Sequence, residues 1–390
     1  VRLYSSEFAA DPRRFLTDSR SQQGPVVPVE LAPGVPAALV LSYRDALRIL
    51  GDPEHFPADP RAWQNTIPEH CPVMPLMEWG PIGTDPELRS AYVAAMAGID
   101  QYRLRGAVEA AATPLINSFC QAGKADLLTE YARPLTLRVL NDLIGLPAEL
   151  GAKAGAALAN LTEAADAAAS DLADRRFQDI LAEAIAARRA HRSHDVISTL
   201  IDHPANFEDL VIVEQIAKLY AMGAEPTWNL IVNALVLMAS DHNFHDGLLT
   251  GSLQLRDAID EALFSDPPLA NACPRFPQHP QVIGNVWIPA DQPVLISITA
   301  CNNDPAVDGD RTGNRSHLAW GVGAHTCPAQ PIASIIVQEA LEQLLDALPD
   351  IKLSVPLDRL AWQPNAFHRA PATVPVTFPS SPPLPLVEGS

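Results

Sequence analysis

The chain has 390 residues, is 47% hydrophobic, and carries 27 Lys and Arg against 46 Asp and Glu, for a net charge of −19. It can therefore bury a large core, and its acidic balance excludes nucleic acid and anionic membrane surfaces, both of which select basic patches. Val1-Arg2-Leu3-Tyr4-Ser5-Ser6-Glu7 is unlike a secretory leader and no run approaches the roughly 18 apolar residues of a membrane span, so a cytoplasmic location is expected.

After a Pro/Gly-rich stretch, Ala37 to Leu41 reads as a strand and Tyr43 to Leu50 as a short helix. Apolar spacing is helical from Leu88 to Cys120 and from Ala125 to Ile144, where Gly145 and Pro147 end the second stretch. The alanine-rich, charge-studded segment 152–190 favours helix with an exposed side, and a long helix is predicted from about Glu208 to Asp241. Alternation in Gly284-Asn285-Val286-Trp287-Ile288-Pro289 and Val294-Leu295-Ile296-Ser297-Ile298 predicts strands. Helix resumes after Cys327, and proline-rich strands and loops close the chain. The 37 prolines are dispersed and punctuate the helices, with no repeat and no linker. The expectation is one domain over 1–390, mainly α with a minor β portion near 35–45, 270–300 and 351–380.

The five cysteines, Cys71, Cys120, Cys273, Cys301 and Cys327, are widely spaced and form no C-x-x-C pair, which fits a reducing compartment. A zinc site built on His317, His325 and Cys327 lacks a fourth local ligand. Cys327 is the most informative of the five. It ends Trp320-Gly321-Val322-Gly323-Ala324-His325-Thr326-Cys327-Pro328-Ala329 and runs into the apolar stretch Ile332-Ala333-Ser334-Ile335-Ile336-Val337. Two glycines let a loop turn back closely on itself, a thiol at a helix mouth gains from the unpaired N–H groups there, and Pro328 suits the first helical position. An ordinary buried cysteine before a helix is the plainer alternative.

The segment resembles the haem-binding loop of the cytochrome P450 family, aromatic-Gly-x-Gly-x-His-x-Cys-x-Gly, with Ala329 in place of the last Gly. Asp195-Val196-Ile197-Ser198, Asp266-Pro267-Pro268, Asn303-Asp304-Pro305 and Phe367-His368-Arg369 occur in the family's order, so the resemblance covers nearly the whole chain. It implies the P450 fold, with haem b between a long distal helix and the helix after the Cys loop. Cys327 would then be the axial iron ligand, held in the loop of Trp320, Gly321 and Gly323. By position, His325, Arg89 and Arg275 would attend the haem propionates, since unpaired carboxylates are costly in a pocket. Asp85 stands near Arg89 where the family has a cation.

The distal helix is matched by Ala221-Met222-Gly223-Ala224-Glu225-Pro226-Thr227 against Ala-Gly-x-(Glu/Asp)-Thr, with Gly223 and Glu225 in place. Pro226 stands where the family's first Thr holds water and helps deliver a proton, and should bend the helix and free the Met222 carbonyl. Thr227 offers a hydroxyl about 100° further round. In the Glu-x-x-Arg motif Glu261 is kept and Phe264 replaces the Arg, so Glu261 needs another partner, for which Arg311 and Arg315 are the candidates. The resemblance implies a monooxygenase acting on a hydrophobic small molecule with dioxygen and electrons from a ferredoxin and ferredoxin reductase. Cys327 to Asp350 contains no Lys or Arg but has Glu339, Glu342, Asp346 and Asp350, leaving Arg103 and Arg105 as docking cations. The alternatives are a haem-binding or partner protein without oxygenase activity and a peroxide-driven enzyme.

Overall fold

Strands β1 (Val26–Ala32) and β2 (Val35–Val40) form an antiparallel hairpin, with Val27 opposite Leu39 and Val29 opposite Ala37. Pro28 cannot donate to a ladder, and β1 tolerates it because β1 is the edge of a four-stranded sheet in the order β1, β2, β7 (Val294–Ser297), β4 (Asn271–Arg275). In chain order the other strands are β3 (Lys124–Asp126), β4 (Asn271–Arg275), β5 (Gln281–Ile283), β6 (Val286–Ile288), β7 (Val294–Ser297), β8 (Lys352–Leu353) and β9 (Pro375–Thr377). The computed structural model describes residues 1–67, 85–162, 167–307, 309, 311 and 313–385. Two compact units divide the chain. One takes the described parts of Val1–Pro81 with Asn229–Cys327 and Leu353–Val374, and the other those of Ile82–Trp228, Pro328–Lys352 and Pro375–Ser390.

In the first unit, side chains alternate across the sheet as a period of two requires. Leu39 and Leu295 join Val27, Val29, Leu31, Trp63 and Phe276 on one side. Val40, Val294 and Ile296 join Ile49, Leu50, Phe56 and Leu318 on the other, and Ala319, Val322 and Cys273 pack against that second cluster. The sheet thus supplies the floor for the segment leading to Cys327. The helix Tyr43–Leu50 matches its predicted limits, with the Ser42 side chain accepting from the Asp45 N–H at its start.

The second unit is helical apart from the small β3-β9-β8 sheet. The expected helix 88–120 is two, Pro86–Ala97 and Gln101–Phe119, because Asp100 caps the second by accepting from Tyr102 and Arg103 N–H groups. The expected helix 125–144 is also shorter: Lys124–Asp126 pairs with β9, a π-turn covers Leu128–Ala132, and the α-helix Arg133–Ile144 begins with Pro134 in its first turn. Segment 152–190 divides into Ala148–Thr162 and Ala167–Ala190. The long helix Asp209–Ser240 runs through Pro226, contributing its residues up to Trp228 to this unit and those from Asn229 to the first.

Gly145 ends the Arg133–Ile144 helix at φ 99°, and a Cβ there would lie 2.4 Å from the Asp195 carboxyl carbon. Asp195 is itself occupied. It accepts the Ser198 N–H at 2.8 Å as the cap of the helix Val196–Ile201 and pairs with Arg188. Gly145→Ala should combine a left-handed backbone penalty with loss of that cap, about 2–3 kcal/mol in all, measured by denaturant unfolding.

Candidate functional site

The Cys loop closes on itself through one backbone bond, from the Cys327 N–H to the Trp320 carbonyl at 2.8 Å. Within it, Gly321 at φ 69° and Gly323 at φ 75° take the left-handed conformation that side chains disfavour. A Cβ on Gly323 would also lie 3.0 Å from the Leu50 carbonyl oxygen. Gly323–His325 forms a short helical turn, and the Thr326 hydroxyl donates to the Gly323 carbonyl at 2.9 Å. Trp320, His325 and Cys327 are half-buried. Pro328 is a turn residue and not the first helical one as expected. The helix is Gln330–Ala347 with Ala329 as its cap, and Pro331 occupies the first turn.

Arg275 lies in β4 and is 3% exposed. Its Nη1 donates to the carbonyls of Pro274 at 2.9 Å and Cys273 at 3.4 Å, and no carboxylate among the described residues pairs with it. Burial disfavours its charge and pulls its pKa below the usual arginine range. A β-bulge between Ala272 and Arg275 sets this geometry, with Cys273 at φ 54°. The Cys273 sulfur packs beside the loop, 3.6 Å from where a Gly321 Cβ would stand, and burial pushes its thiol pKa up.

On the second unit's part of the long helix, Met222, Gly223, Glu225 and Pro226 are only half-buried, whereas every residue from Thr227 to Val236 is buried. Spacings of three and four residues put Met222, Glu225 and Pro226 on one stripe. A Cβ on Gly223 would point towards Leu140 at 3.6 Å. The buried Trp228 carries the Arg133 guanidinium over its ring at 5.2 Å. Arg89 is half-buried in the Pro86–Ala97 helix. Asp85, the residue that departs from the family's cation, is that helix's N-cap, accepting from the Glu87 and Leu88 N–H groups.

Glu261 finds the partner its motif lacks. Arg311 Nη1 donates to Glu261 Oε1 at 3.1 Å, while Arg315 takes Asp260 at 3.0 Å. Asn302 is a residue the sequence reading passed over: its amide donates to the Leu263 carbonyl at 3.0 Å and accepts the Leu318 N–H at 2.8 Å. The signal was the amide preceding Asn303-Asp304-Pro305, where two adjacent asparagines both reach the end of the Leu255–Ser265 helix.

The first unit therefore holds Cys327, Trp320, Gly321, Gly323, His325 and Arg275, and the second holds Arg89, Gly223, Glu225 and Thr227. Within the first unit, the chemistry of Cys327 and Arg275 fits a haem. A thiol stands at the exit of a glycine-shaped loop, and among the described residues the buried Arg275 donates only to carbonyls, so that a carboxylate would complete it.

No family model matches the chain. It is 28% identical over 375 residues to mycinamicin IV hydroxylase/epoxidase of Micromonospora griseorubida, covering 91% of this chain and 92% of that protein. It is 27% identical over 390 residues to cytochrome P450 monooxygenase PikC of Streptomyces venezuelae, covering 95% and 92%. The structure of the bacillaene polyketide synthase cytochrome P450 PksS of Bacillus subtilis superposes with a TM-score of 0.84 at 23% identity, over 97% of this chain and 99% of that one. Loop, fold and relatives point the same way: in sequence and in fold the chain is similar to cytochrome P450 monooxygenases of bacteria.

Proposed function

We propose that the two units act as one catalytic domain, a haem-thiolate monooxygenase that oxidises a C–H or C=C bond of a hydrophobic small molecule. The Cys327 loop carries this reading, because its two left-handed glycines and the Cys327 to Trp320 bond present a thiol at a fixed place before a helix. The relative named a hydroxylase/epoxidase has both outcomes in its name. One oxygen atom of O2 enters the substrate and the other leaves as water, consuming two electrons and two protons.

The haem, when bound, supplies the oxygen chemistry. Cys327 would hold it through sulfur, and a thiolate ligand would push electron density towards the metal. Arg275, His325 and Arg89 would hold its carboxylates, Arg275 from a buried position. Glu225 would take up and pass protons at its carboxylate, and Thr227, about 100° round the helix from Pro226, would supply a hydroxyl from its buried side. Pro226 cannot do so.

The electron donors are a ferredoxin and its reductase, in the cytoplasm. Among the described residues no helix is long and apolar enough to cross a membrane. Arg105, one of the two docking cations, pairs with Glu339 of the Gln330–Ala347 helix, whereas Arg103 is exposed. Docking therefore rests on few free cations and should weaken little with salt compared with a strongly basic face.

The test is the absorption spectrum of purified protein, reduced and exposed to carbon monoxide. A red-shifted thiolate band supports the assignment, and a haem-free protein or the band of a neutral ligand overturns it. Turnover with reductase, ferredoxin and NAD(P)H, set against turnover with peroxide alone, then identifies the oxidant. Pro226→Thr is expected to raise the share of consumed dioxygen that appears as product, since it restores a hydroxyl on the half-buried stripe. Measuring product against oxygen uptake checks this, and an unchanged ratio would route proton delivery elsewhere.

A further inference from the structure

We propose that Phe264 is a positioning residue for the Cys327 loop, its ring holding the Arg311 guanidinium by a cation–π contact in place of a second arginine. This rests on the haem-thiolate reading above and adds to it how the loop is held.

Glu261 and Phe264 are three residues apart on the Leu255–Ser265 helix and so share a face. Arg311 meets both: its Nη1 is 3.1 Å from Glu261 Oε1 and its guanidinium carbon stands 4.9 Å from the Phe264 ring centroid. Its Nη2 also donates to Asn303 Oδ1 at 2.8 Å. Phe264 is 5% exposed, so the cation on its face is partly shielded from water, where such contacts are strongest. The same ring receives His317 edge-on, with centroids 5.2 Å apart and planes at 87°. One aromatic side chain thus touches two residues of the segment that runs into the loop.

The contacts continue to Cys327. Leu318, next to His317 and fully buried, donates its N–H to Asn302 Oδ1 at 2.8 Å, and Gly321 donates to the Leu318 carbonyl at 2.9 Å. Trp320 then accepts the Cys327 N–H. A shift of Arg311 or His317 is therefore felt at the sulfur's own backbone.

The ring is needed because the ion pair alone is ambiguous. A cavity of about 210 Å³ lies beside it, lined among others by Asp257, Asp260, Glu261, Phe264 and Arg311. Three carboxylates therefore share one cavity with the guanidinium, and Glu261 is the one it bonds. Asp260 is engaged by Arg315, and burial pushes the Glu261 carboxyl pKa up against the pull of Arg311. A ring face beside Glu261 favours the cation there over Asp257, and its negative quadrupole does so without another charge. A leucine fills similar space but has no quadrupole.

The experiment uses haem-loaded protein and four variants, Phe264→Tyr, Phe264→Leu, Arg311→Gln and Phe264→Leu with Arg311→Gln. It measures the rate of haem transfer to apomyoglobin and the fraction of the ferrous carbon monoxide band at the thiolate position. Phe264→Tyr should match the wild type. Phe264→Leu should release haem roughly fivefold to thirtyfold faster, the range a partly desolvated cation–π contact implies, and move part of the band to the neutral-ligand position. With Arg311→Gln already present, which removes the cation, adding Phe264→Leu should change little. Equal behaviour of the leucine variant and the wild type, or equal impairment of leucine and tyrosine variants, overturns the assignment. A wild-type protein with no thiolate band overturns the haem-thiolate reading itself.

Discussion

Cys327→Ala is expected to abolish the thiolate spectrum and the oxygenase activity while leaving the loop folded. The loop does not depend on the sulfur for its shape. Its closing bond is backbone, from Cys327 N–H to Trp320 carbonyl, and its turns are fixed by Gly321, Gly323 and the Thr326 hydroxyl. At a half-buried position, trimming one sulfur atom should lower stability by about 1 kcal/mol or less. The chemistry changes far more, because the thiolate's electron donation to the metal has no substitute in alanine. Residual haem in the variant should show a neutral-ligand band and product formation at background. A normal thiolate spectrum in Cys327→Ala would transfer the ligand role to another thiol, and Cys273 beside Gly321 would then be the residue to test.

The Cys loop was legible because its chemistry is local: two glycines, a histidine and a cysteine within ten residues, followed by helical spacing. Long elements were legible where one period dominated, as in Tyr43–Leu50 and Asp209–Ser240. The misread elements are those settled by partners distant in sequence. β1 exists because it pairs with β2 despite Pro28, and Lys124–Asp126 leaves a helical pattern because β9 lies beside it. The split of 88–120 was visible in principle, since Asp100 two residues after Gly98 is a stop followed by a cap.

The departures from the family pattern have local physical accounts. Asp85 would repel a propionate, yet as an N-cap its carboxylate serves two orphan N–H groups of the helix that carries Arg89. Phe264 removes a charge beside Glu261, and Arg311 arrives from fifty residues away to restore it. Sequence could name Arg311 as a candidate because it is one of few cations in the segment before the loop. It could not show the cation–π contact, which depends on how that segment folds over the helix.

Arg275→Met is expected to move haem retention and protein stability in opposite directions. A guanidinium that is 3% exposed and, among the described residues, bonded only to the Cys273 and Pro274 carbonyls is a buried charge with no carboxylate partner there. Burial already pulls its pKa down. Replacing such a charge by an apolar chain of similar length is neutral or stabilising by about 1–3 kcal/mol, so protein expressed without haem should unfold at equal or higher denaturant concentration. The haem-loaded form should behave the other way. Loss of a charge-assisted bond to a carboxylate, about 1.5–3 kcal/mol, makes haem release roughly tenfold to a hundredfold faster at 1.4 kcal/mol per factor of ten. A purely structural arginine would lower both quantities together, and that outcome, or unchanged haem retention, would remove Arg275 from the site. The opposite signs separate the two roles because the same buried charge is a burden to the empty fold and a partner to the anionic group.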